Sequence, residues 1–153
     1  MKHSNANKTI FASSNIGTSA IKVIRISGPK AKRVSTIFNF ALPKPNQIKL
    51  KKLTYNKRLI DRAFVLWMPA PKTYTGEDMV ELHVHGSIVI EKLIYEILNK
   101  QKSFNLADPG EFTKRAVFNG KIDLTQAEAV NDIISSQTEK QLELANVNLD
   151  GQL

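Results

Sequence analysis

The chain has 153 residues, 42% of them hydrophobic, which is enough apolar content for a packed core in one domain or one domain with the start of another. It has no cysteine, so disulfide scaffolds, thiolate metal sites and thiol nucleophiles are excluded. The net charge of +8 is uneven: residues 1–60 hold 13 Lys or Arg and no acid, while residues 61–153 hold 9 basic residues and all 14 acids.

The start, Met1-Lys2-His3-Ser4-Asn5, is polar and no apolar signal-peptide core follows it. No apolar run approaches the roughly 18 residues of a membrane span. Thr9-Ile10-Phe11-Ala12 reads as a short strand, Ser13–Ser19 as a polar loop, and Ala20–Ser27, rich in β-branched residues, as a second strand. Pro29, at a first-turn position, predicts a helix reaching about Phe38. Ile48–Tyr55 reads as an edge strand whose lysines discourage edge pairing. Arg62–Met68 is nearly all apolar, which predicts a strand buried on both faces. Pro69–Gly76 is turn-rich. In Met79–His85 the alternation puts Val80, Leu82 and Val84 on one face and Met79, Glu81, His83 and His85 on the other.

Ile90, Leu93, Ile94 and Ile97 give residues 88–100 a helical spacing. Asp108-Pro109-Gly110-Glu111 has the elements of a capping box and predicts a helix ending near Asn119-Gly120. Asp123-Leu124-Thr125-Gln126 repeats the pattern and predicts a long helix towards Asp150, its apolar stripe interrupted over Ser135–Gln141.

Several chemistries have no sequence support. There is no G-x-x-x-x-G-K-[ST] stretch, so this chain by itself is not expected to hydrolyse GTP, and there is no H-E-x-x-H or G-x-S-x-G. Three features remain. Glu81, His83 and His85 share a strand face, which can present three ligands to one metal ion or form a solvated polar stripe. Arg25 lies between Ile24 and Ile26 and needs an acid, a ligand or an exposed face. Lys121 follows a tight turn between two helices, from which a long cationic side chain can reach a cleft or stay solvated.

The blocks Ala20-Ile21-Lys22-Val23-Ile24-Arg25-Ile26-Ser27-Gly28-Pro29, Tyr74-Thr75-Gly76-Glu77-Asp78-Met79-Val80-Glu81-Leu82, His85-Gly86, Pro109-Gly110-Glu111-Phe112-Thr113, Arg115-Ala116, Phe118-Asn119-Gly120-Lys121 and Asp123–Val130 occur in order. Together they resemble the N-terminal region of the tRNA modification GTPase family (MnmE, also called TrmE). The resemblance implies a mixed α/β sheet of about five strands with flanking helices, related to the folate-binding domain of aminomethyltransferases. It places a tetrahydrofolate-binding and dimerisation domain at residues 1–120 and the first helix of a helical domain at 121–153. The implied ligand is 5-formyl- or 5,10-methylene-tetrahydrofolate, and the implied assembly is a homodimer. The GTPase domain, with its GTP, Mg and K, lies outside this stretch of the family pattern. The whole family protein works in the cytoplasm with an FAD-dependent partner of the GidA family to modify the wobble uridine of tRNA.

The family's folate contacts fall on Arg25, Glu81 and Lys121. A carboxylate can accept both hydrogen bonds of a pterin's ring N–H and exocyclic amine, which suits Glu81. Arg25 and Lys121 can hold the carboxylates and carbonyls of a folate tail. Tyr74, Phe118 and Trp67 are the available ring faces. The chain departs from the family in its first loop, Ser13–Ser19 in place of a P-P-G-x-G pattern, and in having Gly86-Ser87 for Gly-Gly. Two other readings stand beside the folate reading: a basic tRNA-contacting module using residues 1–60, and the metal site on Glu81, His83 and His85.

Overall fold

The structure is a computed structural model that describes residues 7–151; the polar stretch Met1–Asn5, on which the signal-peptide reading rests, lies outside the described residues. The chain forms two compact units, one built from residues 7–73 and 77–109, the other from 74–76 and 110–151.

The first unit holds six strands: β1 (Thr9–Ser13), β2 (Ile21–Ser27), β3 (Lys49–Tyr55), β4 (Arg58–Met68), β5 (Met79–His85) and β6 (Phe104–Leu106), with helices α1 (Arg33–Ile37) and α2 (Ile88–Asn99). They form one sheet in the order β3-β4-β5-β2-β1-β6. Every neighbouring pair is antiparallel except β1 and β6, which run parallel, so the sheet is mixed and the fold is α/β as expected. The expected five strands become six because β6 is three residues long, too short to display a period, and is defined by its pairing with Thr9–Phe11.

Alternation along the strands divides the sheet into two faces. One face carries Phe11, Ile24, Ile26, Val65, Trp67, Leu82 and Val84, which form the core with Val34 and Phe38 at α1 and Ile94, Ile97 and Leu98 of α2. The other carries Arg25, Glu81, His83 and His85, with Phe64 and Leu50 on neighbouring strands.

Two expectations change here. Strand β4 is not buried on both faces: Ala63, Val65 and Trp67 are buried while Phe64 between them is 50% exposed, because helices cover one side of this mixed sheet. The helix expected from Pro29 shrinks to Arg33–Ile37, since residues 28–35 close i→i+3 turns such as Ala31 N–H to Gly28 C=O at 3.2 Å and Arg33 N–H to Lys30 C=O at 3.0 Å.

The loop Ser13–Ser19 is closed by serine and asparagine side chains. The Ser14 hydroxyl accepts from Val23 N–H at 3.1 Å, and Asn15 Nδ2 donates to Ser19 Oγ at 3.2 Å. The loop backbone then crosses Gly86, where a Cβ would lie 2.0 Å from the Ser19 carbonyl oxygen, so no side chain fits. Ser87, the departure beside it, is the N-cap of α2 and accepts from Val89 and Ile90 N–H groups.

The second unit holds α3 (Glu111–Phe118), α4 (Leu124–Ser135) and α5 (Glu139–Leu149). The Asp123–Gln126 capping box is present, with Asp123 Oδ1 accepting from Gln126 N–H at 2.8 Å and Gln126 Oε1 from Asp123 N–H at 2.9 Å. At the Asp108–Glu111 pattern, α3 starts at Glu111 behind Gly110, whose φ of 76° suits a glycine, and Glu111 is buried against Arg115 one turn on at 3.6 Å. The single long helix is two. Ser136 is extended, and Thr138 caps α5 by accepting from Gln141 N–H. The signal was a second cap pattern, Thr138-x-x-Gln141, inside the polar interruption.

Candidate functional site

Arg25 and Glu81 are direct cross-strand partners on β2 and β5, so the register alone places one opposite the other. Their side chains meet: Arg25 Nε and Nη2 both lie 3.2 Å from Glu81 Oε2. Arg25 is 41% exposed and Glu81 15%, so the pair is part-buried with the guanidinium reaching water. The arginine therefore resolves as ion-paired on a face that solvent reaches, and the cost of burying it alone does not arise.

The second oxygen of Glu81 is also held. His83, two residues along the same strand face, places Nε2 3.0 Å from Glu81 Oε1. A carboxylate is acceptor-only when ionised, so Nε2 carries the proton. His85 turns elsewhere. Its backbone N–H and its Nδ1 each lie 2.8 Å from an oxygen of the buried Asp61 on β4. The metal reading therefore fails: the three side chains share a face but do not converge, and no group of three metal-ligating side chains exists among the described residues. Asp61 was missed from sequence, although it is the first acid in the chain and sits inside a strand.

Lys121 belongs to the second unit. It follows the α3 turn, with its backbone N–H bonded to Ala116 C=O at 2.8 Å. Its stem lies over Gly76, where a Cβ would meet Lys121 Cγ and Cδ at 3.4 Å and Asn119 Cβ at 3.1 Å; Gly76 also has φ of 81°. Asn119 Nδ2 donates to Thr75 C=O at 2.7 Å, and Tyr74 and Thr113 hydroxyls bond at 2.8 Å. The Thr75-Gly76 segment and the Asn119-Gly120-Lys121 turn thus fold as one piece. Of the three ring faces, Tyr74 and Phe118 are exposed, whereas Trp67 is buried in the core with Lys32 Nζ 5.7 Å from its ring centroid. Trp67 is withdrawn as a ligand contact.

Outside this cluster, Lys22 points into the covered face and is fully buried, 3.1 Å from Glu91 of α2. Glu91 also accepts from the Ser13 hydroxyl, and Tyr95 accepts from Ser13 N–H at 2.7 Å. The period that places Ile24 and Ile26 inward also places Lys22 inward, so the buried lysine, though not its partner, is legible in the sequence.

The architecture is that of a mixed-sheet α/β domain presenting a cation–carboxylate pair on one face, followed by helices. Residues 9–121 match the family described as GTP-binding protein TrmE N-terminus. The chain is 43% identical over 152 residues to a tRNA modification GTPase MnmE of Methylobacterium radiotolerans, covering 97% of this chain and 34% of that protein. It is 43% identical over 147 residues to the MnmE of Pelagibacter ubique, covering 94% and 33%, and 44% identical over 146 residues to that of Anaplasma marginale, covering 94% and 32%. The chain belongs to the TrmE N-terminal family and spans about a third of the length of the curated relatives it matches. No helix among the described residues is long and apolar enough to cross a membrane.

Proposed function

We propose that this chain is a folate-binding and dimerising module of a tRNA modification GTPase, with Arg25, Glu81 and Lys121 as its contacts to 5-formyl- or 5,10-methylene-tetrahydrofolate. The observation that carries the reading is the Arg25–Glu81 pair. It sets a part-buried carboxylate, able to accept from a pterin's N–H and amine, beside a guanidinium that still reaches water. Calorimetry with 5-formyltetrahydrofolate tests it: saturable binding is expected, and Glu81→Ala should weaken it by about 2–5 kcal/mol, the usual cost of deleting one partner of a buried charged hydrogen bond. Unchanged affinity in that variant removes Glu81 from the site.

Dimerisation draws support from apolar side chains on the same sheet face, where Ile21, Leu50 and Phe64 are exposed. Sedimentation of the chain across a concentration series should report a dimer. The two-domain division at residues 1–120 and 121–153 belongs to this proposal. So do the activities of the whole protein: GTP hydrolysis with Mg and K, action on the tRNA wobble uridine, cytoplasmic location, and work with an FAD-dependent GidA-family partner.

A tRNA-contacting surface is the second reading, favoured by the β3–β4 hairpin. Lys49, Lys51, Lys52, Lys57, Arg58 and Arg62 lie there, and none pairs with a carboxylate among the described residues. It requires tRNA affinity that falls steeply with salt; binding indifferent to salt, or none at low salt, ends it.

A further inference from the structure

We infer that His83 is a positioning residue for Glu81, and that the ligand donor is taken on Oε1, the oxygen His83 holds. The inference rests on the folate reading and deepens it.

A carboxylate offers about four acceptor positions over its two oxygens. In this structure Arg25 directs Nε and Nη2 at Oε2, both at 3.2 Å, while His83 Nε2 meets Oε1 at 3.0 Å. Oε2 therefore accepts from Nε and also faces the Nη2 charge, while Oε1 faces the imidazole alone. The acceptor capacity that remains lies mainly on Oε1.

Among the described residues, His83 is the side chain bonded to that oxygen. Opposite Glu81 the cross-strand neighbours are Arg25 on β2 and Leu66 on β4; opposite His83 they are Val23 and Phe64. Leu66, Val23 and Phe64 have no hydrogen-bonding side chain. Without the imidazole, Oε1 would lose its hydrogen bond, and the Glu81 terminal torsion, which is soft, would be set by Arg25 from the Oε2 side. Glutamate is among the side chains that lose most rotamer freedom on being fixed. A hydrogen bond that fixes it beforehand removes that cost from binding.

The same geometry fixes the ring's chemistry. Because Nε2 donates to a carboxylate, the neutral imidazole has its lone pair on Nδ1. Oε1 then keeps a free acceptor position, which suits a ligand N–H, as on a pterin or a related amino-heterocycle.

The test uses the 153-residue chain with 5-formyltetrahydrofolate as probe. His83→Leu removes the donor and should weaken binding about tenfold. His83→Gln replaces it with an amide N–H and should restore affinity to within about threefold of the unsubstituted chain. Circular dichroism checks that both variants fold; a partly exposed ring makes this the expected result, as His83 is 28% exposed. A merely structural histidine would not distinguish leucine from glutamine in this way. Separately, 15N spectra of His83 should report the Nε2–H form at neutral pH, and Glu81→Gln should shift that equilibrium. Leucine binding as well as histidine, or a nitrogen pattern that ignores Glu81→Gln, overturns the inference. If the unsubstituted chain binds no folate, the folate reading falls, and the nitrogen shifts alone decide whether His83 positions Glu81.

Discussion

The two faces of the sheet hold charge in different ways. On the covered face Lys22 has lost its water entirely and depends on Glu91, reinforced by the Ser13 hydroxyl. On the polar face Arg25 and Glu81 meet at a similar separation, 3.2 Å against 3.1 Å, but keep contact with solvent. Both pairs start from β2, at positions three residues apart and so on opposite faces. Which face a residue occupies, rather than its charge, decides whether its ion pair holds the fold together or stays available to a ligand. A buried charge whose partner is removed is stranded in a medium that solvates it poorly, whereas an exposed one is simply hydrated.

This contrast can be broken at several points. The largest effect is expected in the apolar part of the covered face. Phe11→Ala should cost about 3–5 kcal/mol in urea denaturation, as truncating a fully buried aromatic does. The same change at half-exposed Phe64 should cost under about 1 kcal/mol, as surface changes usually do. Next comes Glu91→Leu, which strands the Lys22 ammonium and should cost about 2–3 kcal/mol. That is less than for a fully buried pair, because Glu91 is partly exposed. Lys22→Leu combined with Glu91→Leu should recover most of that loss; if the double variant is no more stable than the single one, the pair is not what Glu91 contributes. The smallest effect on stability belongs to Arg25→Ala, expected at about 0–1 kcal/mol in thermal melts, while affinity for 5-formyltetrahydrofolate falls. A large stability loss there would mean that the polar face also supports the fold.

Much of the sheet was legible because strand alternation and β-branched runs are local. Thr9–Ala12, Ala20–Ser27, Ile48–Tyr55 and Met79–His85 all lie within a residue or two of β1, β2, β3 and β5. The Asp123 cap was legible for the same reason, being a four-residue hydrogen-bond pattern. The errors share a cause as well. The apolar run of β4 predicts burial on both faces because composition does not say how many faces a sheet has covered. The last stretch looks like one helix because apolar spacing resumes after the break, whereas the cap at Thr138 starts a second. The candidate site divides likewise. Arg25, Glu81 and Lys121 stood out as charges in places where charges need a reason. The bonds from His83 to Glu81 and from Asp61 to His85 depend on rotamers and on which strands are neighbours.

From the order of residues alone came the alternation, the caps, the charge asymmetry and the family resemblance, because each is a property of neighbours along the chain or of motif spacing. Tertiary structure decided the rest. Strand order set Arg25 opposite Glu81 across 56 positions of sequence. The one-sided helical cover turned one set of alternating residues into core and left the other within reach of water. The placement of α2 over β2 gave Lys22 its acid. These outcomes depend on which segments become neighbours in space, and pairing and burial act through space, so no window of sequence contains them.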